Sequence, residues 1–207
     1  MNIGQYSLED YMHLVRSFHG SIAPGLIIGG FMVDLARGGL PEGVIFDAIS
    51  ETRTCLPDAI QLLTPCTIGN GWLKVLDYGR YALCFYEKEQ GEGVRVYIDP
   101  EKLDAWPEIK TWFFKLKPKK EQDVNALRDQ IIEAGAHILG MEKVTVDLAA
   151  MGKKGKGAIA TCPSCREAYP VKDGPMCLAC QKGTPYVVGA QPVKPNLTVV
   201  SPEKAER

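Results

Sequence analysis

Four of the seven cysteines stand in two tight pairs, Cys162-Pro-Ser-Cys165 and Cys177-Leu-Ala-Cys180, with eleven residues between them. Two Cys-x-x-Cys knuckles supply four thiolates with the reach to surround one tetrahedral zinc ion at Zn–S distances of about 2.3 Å. Gly174 and Pro175 in the intervening segment let the chain turn back and bring the knuckles together. A segment this short cannot bury enough core of its own, so bound metal supplies the missing folding free energy. Iron on the same four sulfurs is the competing metal, and reduced dithiols or a pair of disulfides are the metal-free alternatives. With every position filled by protein there is no opening for substrate, and the site is structural.

A second, more diffuse set is Phe18-His19-Gly20, Pro24-Gly25, Cys55, Asp58 and the loop Cys66-Thr67-Ile68-Gly69-Asn70-Gly71. A histidine and cysteines dozens of residues apart carry little by themselves, because buried cysteine is an ordinary small hydrophobe. Cys55 and Cys66 nevertheless flank the same short helix, and each adjoins a polar or glycine-rich loop of the kind that edges a pocket. Cys55 also precedes that helix, so its dipole is expected to favour the thiolate. Cys84 sits inside an alternating strand and reads as sheet filling.

These residues need elements to hold them. Residues 7–18 form a predicted helix capped by Ser7, and Pro24 opens a second over 24–36, stopped by Gly38, Gly39 and Pro41. Gly25, Gly29 and Gly30 mark a close approach to that helix, most simply by a packed neighbour. A strand is expected over 44–50, a short helix over 57–63, and strands over 73–77, 81–87 and 94–99. The apolar face Val124, Leu127, Ile131, Ala134 and Ile138 predicts one helix over 121–139, followed by a last strand over 144–148.

The stretches FHGSIAPGLIIGGFMVDLA and ETRTCLPDAIQLLTPCTIGNGWLKVLDYGRYALCFY resemble the N-terminal core of the FmdE family, the E component of formylmethanofuran dehydrogenase. The resemblance runs from about residue 12 to 86 and more weakly to 148. It implies an α+β core that associates as a homodimer, with a metal or redox pocket near the interface, and often a cysteine-rich zinc module behind it. By position it makes His19, Cys55 and Cys66 the donors of a second metal ion in the core, with Cys55 and His19 as catalytic candidates. Asp58, Gln61, Thr67 and Asn70 match polar positions of the same motifs. The family's first motif reads Phe-His-Gly-His-x-Cys-Pro-Gly, whereas this chain has Ser21 and Ala23 at the second histidine and the first cysteine. Ala23 has no donor atom. The resemblance also implies molybdenum or tungsten enzyme subunits as partners in one-carbon and redox metabolism. A non-enzymatic dimeric accessory protein with a degenerate core site is the alternative.

Composition bounds the rest. The chain has 207 residues, 45% hydrophobic and 24% charged, with a formal net charge of −1. That balance speaks against a protein whose whole surface traps nucleic acid, although Lys153, Lys154, Lys156 and Arg166 supply local charge and Tyr169 and Tyr186 are candidate stacking platforms. No secretory leader or bilayer span is read, so a cytoplasmic protein without membrane attachment is expected. The expected architecture is α+β, with a mixed helix and antiparallel-sheet core over 1–150 and a basic Gly/Lys linker over 151–160. Behind these come a four-cysteine zinc knuckle (zinc ribbon or treble-clef-like) over 161–188 and a tail over 189–207.

Overall fold

A computed structural model describes residues 1–152, 155 and 157–186. The linker lysines 153, 154 and 156, the tail from 189 onward and the expected docking segment 197–200 lie outside the described residues. The chain divides into two compact units, 1–152 and 153–207.

The first unit opens with a small hairpin that no sequence pattern announces, β1 (Asn2–Ile3) and β2 (Tyr6–Ser7). Helix α1 (Leu8–His19) begins where Ser7 accepts the Asp10 amide, as its cap position predicts, and ends at Gly20 with φ 85°. Helix α2 (Pro24–Gly38) is buried on nearly every side, from Leu26 through Val33. A helix apolar all round belongs at the centre of a core.

Then follow β3 (Phe46–Ser50), α3 (Leu56–Leu63), β4 (Leu73–Val75), β5 (Ala82–Glu87), β6 (Glu92–Ile98), α4 (Pro107–Phe113), α5 (Val124–Ala134), β7 (Leu139–Thr145) and α6 (Leu148–Met151). The five-stranded sheet has the order β4-β3-β5-β6-β7. It is antiparallel except for β3 and β4, which run parallel across the α3 connection.

Alternation along the strands sorts the two faces. Ala48, Leu83, Phe85, Val94, Val96 and Ile98 join the main core against α2, while Ile49, Cys84 and Tyr86 form a smaller cluster with Leu148 and Met151. Cys84 is thus sheet filling, as its place in an alternating strand suggested.

Two expectations are corrected. The helix expected over 121–139 is cut at Ala134: a single 3-10 turn covers Gly135–Ile138, and Gly135 has φ 51°. Ile138 continues the apolar spacing of α5 but belongs to that turn, and Leu139 already starts β7. The last strand is therefore earlier than the expected 144–148, where the chain instead turns into α6 behind its Asp147 cap. Helix α4, not anticipated, follows a 3-10 turn over Pro100–Ala105 and brings Trp112 and Phe113 against the core.

The second unit holds β8 (Ile159–Thr161) paired with β9 (Ala168–Pro170), and the short helix α7 (Leu178–Lys182).

Candidate functional site

In the second unit the turn between β8 and β9 carries the first knuckle. Cys162 donates its amide to Glu167 O at 2.8 Å, and Arg166, at φ 68°, closes the turn on Cys162 O at 3.0 Å. Cys177 caps α7 and Cys180 lies in its first turn. The four sulfurs fall within 4.8 Å of one another, with Cys162–Cys180 at 3.9 Å and Cys165–Cys177 at 3.7 Å. Those spacings are far beyond a disulfide bond of about 2.0 Å. They match the edge of about 3.8 Å that a four-sulfur zinc tetrahedron with 2.3 Å bonds requires. Amide hydrogen bonds at Cys165 and Cys177 lower the Cys162 thiol to about 6, whereas burial and the neighbouring thiols raise those of Cys165 and Cys180. A hairpin knuckle plus a knuckle at a helix start is a treble-clef arrangement, which decides between the two folds expected for this segment. Tyr169 is buried and its hydroxyl donates to Gly174 O at 3.1 Å, so it supports the loop and offers no stacking platform.

In the first unit the candidate residues converge only in part. His19, the last residue of α1, places Nδ1 2.7 Å from Oδ2 of Asp58 in the first turn of α3. A carboxylate only accepts, so Nδ1 carries the proton of this hydrogen bond, and Nε2 is the ring nitrogen outside it.

Cys55 is the residue that caps α3, with φ 55° and ψ −51°. It packs on Gly25 so closely that a Cβ there would lie 3.0 Å from its own Cβ and 3.2 Å from Sγ. Tyr81 closes the same corner by donating to Gly25 O at 2.6 Å. Burial, and then the charge of Asp58, push the Cys55 thiol up, not down. The expectation of a dipole-favoured thiolate is therefore corrected: desolvation and a neighbouring carboxylate outweigh the helix end.

Cys66 lies past the other end of α3, whose eight residues span about 12 Å. It is fully buried, donates weakly to Phe46 O at 3.5 Å, and burial raises its thiol to about 11. Gln61, Thr67 and Asn70 spend polar groups on the loop itself: Asn70 Oδ1 accepts from Thr67 N and Trp72 N, and Gln61 Oε1 from Ile68 N. Ala23 starts α2 without any side-chain cap. Among the described residues, the four cysteines of the second unit are the only group of three or more donors placed to hold one ion.

The motifs did not point to Tyr81, Arg80, Arg95, Tyr97, Trp112 and Phe113, which with Cys55 line a cavity of about 570 Å³. Their only signal was composition, cations interleaved with aromatics just before β5, on β6 and on α4.

The fold and the sulfur cluster together define a class: an α+β core followed by a treble-clef module with one structural zinc ion. Residues 18–146 match the family model described as FmdE, Molybdenum formylmethanofuran dehydrogenase operon, and 153–187 match the FmdE treble clef zinc finger. This chain belongs to the FmdE family. A crystal structure of a tungsten formylmethanofuran dehydrogenase FmdE-like protein from Syntrophus aciditrophicus superposes with a TM-score of 0.81 at 55% identity, covering 90% of this chain and 98% of the other. A probable S-adenosyl-L-methionine-binding protein of Archaeoglobus fulgidus is 30% identical over 92% of this chain. The match spans 57% of that relative's length.

Proposed function

We propose that this protein is a homodimeric accessory subunit of one-carbon redox metabolism, working in the cytoplasm beside a molybdenum or tungsten enzyme and using its zinc module for docking. The observation that carries this reading is the pairing of a closed, four-sulfur zinc site with a core whose family ligand set is broken up. Ala23 has no donor, Cys66 is turned into the core, and Cys55 is held as a neutral thiol. A closed zinc site binds no substrate, and a surface it holds rigid is suited to a protein partner.

The second reading keeps a metal or redox site in the core, with His19 and Cys55 as its working groups and Cys66 as a further donor. The His19–Asp58 pair favours it, because a carboxylate on Nδ1 is the usual way to orient an imidazole whose Nε2 binds metal.

Metal content separates the two. The full chain is expected to hold one zinc per chain, and the double variant Cys177→Ser/Cys180→Ser none. About one equivalent of metal retained by that variant, and lost when Cys55→Ser is added, would replace the accessory reading with the core-site reading. Light scattering tests the dimer, whose expected mass is twice the 22.7 kDa chain; a monomer at micromolar concentration would remove that part.

A further inference from the structure

The cavity above Cys55 has a wall and a charge that neither reading uses. Trp112 and Phe113 of α4 and Tyr97 of β6 give it aromatic sides, while Arg80, Arg95 and Lys115 are its ionised lining groups. Arg95 is committed: Nε and Nη2 hold Glu51 at 2.7 and 3.0 Å, and Nη1 holds Glu142 at 2.8 Å. Among the described residues Arg80 pairs through Nε with Glu51, at 2.8 Å, and its guanidinium carbon lies 5.3 Å from the centre of the Tyr78 ring. The Lys115 ammonium has no partner among the described residues. Three cations against Glu51 and Glu142 leave one positive charge uncompensated among the groups at this cavity.

Backbone conformation points to the same place. Cys55, with φ 55°, is one of three non-glycine residues with positive φ among the described residues and lines this cavity. Lys115, at 54°, is instead the left-handed residue that ends α4, with its amide on Trp112 O at 3.3 Å and that of Leu116 on Thr111 O at 3.0 Å. Left-handed backbone at a residue with a side chain costs free energy and collects at ligand sites, where surrounding packing holds it. The volume of about 570 Å³ lies within the range of small-molecule pockets.

We propose that this cavity binds a small planar aromatic molecule bearing an anionic oxygen group, its ring against the Trp112, Phe113 and Tyr97 wall and its anion at Lys115 and Arg80. The paired arginines and Glu51 set the orientation of the cationic rim, and the neutral Cys55 thiol forms part of the floor. Neither the wall nor the rim includes His19, Asp58 or Cys66, and Cys55 is the residue the cavity shares with the core-metal reading.

The test uses two fluorescent probes with the same aromatic skeleton on the full chain: anilinonaphthalene sulfonate, which carries the anion, and N-phenylnaphthylamine, which does not. The sulfonate is expected to bind one per chain and more tightly than the neutral probe. Lys115→Gln should weaken it roughly tenfold, the loss of one charge-assisted contact, and leave the neutral probe unmoved. Arg80→Gln/Lys115→Gln should weaken it further while the circular dichroism spectrum stays that of the parent. Equal affinity for both probes, a sulfonate affinity untouched by Lys115→Gln, or no saturable binding of either probe would each overturn the proposal.

Discussion

Glu51 is the residue whose chemistry is most constrained by its surroundings. It is nearly buried just past the end of β3, yet three guanidinium nitrogens reach its two oxygens. Burial alone would raise its carboxyl; the hydrogen bond from Arg95, with the charges of Arg95 and Arg80, reverses this and holds it below the usual range. The folded value is thus below the unfolded one of about 4.3. The network's stabilisation is complete above that unfolded value and is lost as pH falls through the lower, folded value. Glu51→Gln removes the charge and leaves Arg95 half-buried with only Glu142. The variant should lose about 3 kcal/mol at neutral pH, and its acid denaturation should lack the component that the parent shows below about pH 4. Urea titrations at pH 7 and pH 3 measure both. A variant as stable as the parent at pH 7 would mean the network contributes nothing. The same burial logic governs the thiols: Cys66 and Cys84, raised to about 11 and 12, should resist alkylation at pH 8 in the native protein and react only on unfolding. Peptide mapping after a timed iodoacetamide pulse reads this out.

At the scale of elements, the glycines of α2 decide which helices touch. A Cβ on Gly29 would come within 2.8 Å of Ala59 Cβ, and one on Gly30 within 2.7 Å of the Tyr11 ring. The periodic spacing showed that something packs there but not that α3 takes one side and α1 the other. Gly29→Ala should force α3 away from α2 at a cost of about 2 kcal/mol. That displacement would also disturb Cys55 at the α3 cap, so the thermal midpoint should fall together with the affinity for the anionic probe. An unchanged midpoint would show that α3 can move without penalty. The helix expected over 121–139 teaches the converse lesson. Its apolar repeat ran unbroken through Ile138, because core-facing spacing is the same whether the backbone is helical or merely turning into a strand at the same face. The Asp123 cap, which accepts from Asn125 and Ala126, fixes the start of α5 three residues later than expected. Hydrogen bonding of β7 to its sheet partner β6 sets its end.

For the whole molecule, the two units draw on different sources of stability. The first buries a continuous core from Ile3 to Leu139; the second buries only Cys162 and Tyr169 among its described residues. Metal removal should therefore separate them. Treatment with a strong chelator is expected to expose the region after residue 152 to trypsin while leaving a resistant fragment that ends near Gly152, and added zinc should restore protection. Mass spectrometry of the digest is the readout. Protection that survives verified zinc loss would mean that the second unit folds without its ion, contrary to what its small core predicts.

The sequence by itself determined what is local and periodic. Two Cys-x-x-Cys pairs fix a four-sulfur site because the ligand geometry of zinc is short-range, and the caps and alternations fix α1, α2, α3 and the central strands. Family motifs read in order carried the core fold. Only the tertiary structure decided which distant side chains meet. It set His19 on Asp58, sank Cys66 into the core, and left Cys55 half-buried with its thiol pushed up by desolvation and by Asp58. It also gathered Arg80, Arg95, Tyr97, Trp112 and Lys115 around one cavity. None of these follows from spacing, because a pocket is made by elements packed across the chain, and pKa values follow from burial and neighbouring charge, which a linear pattern does not contain.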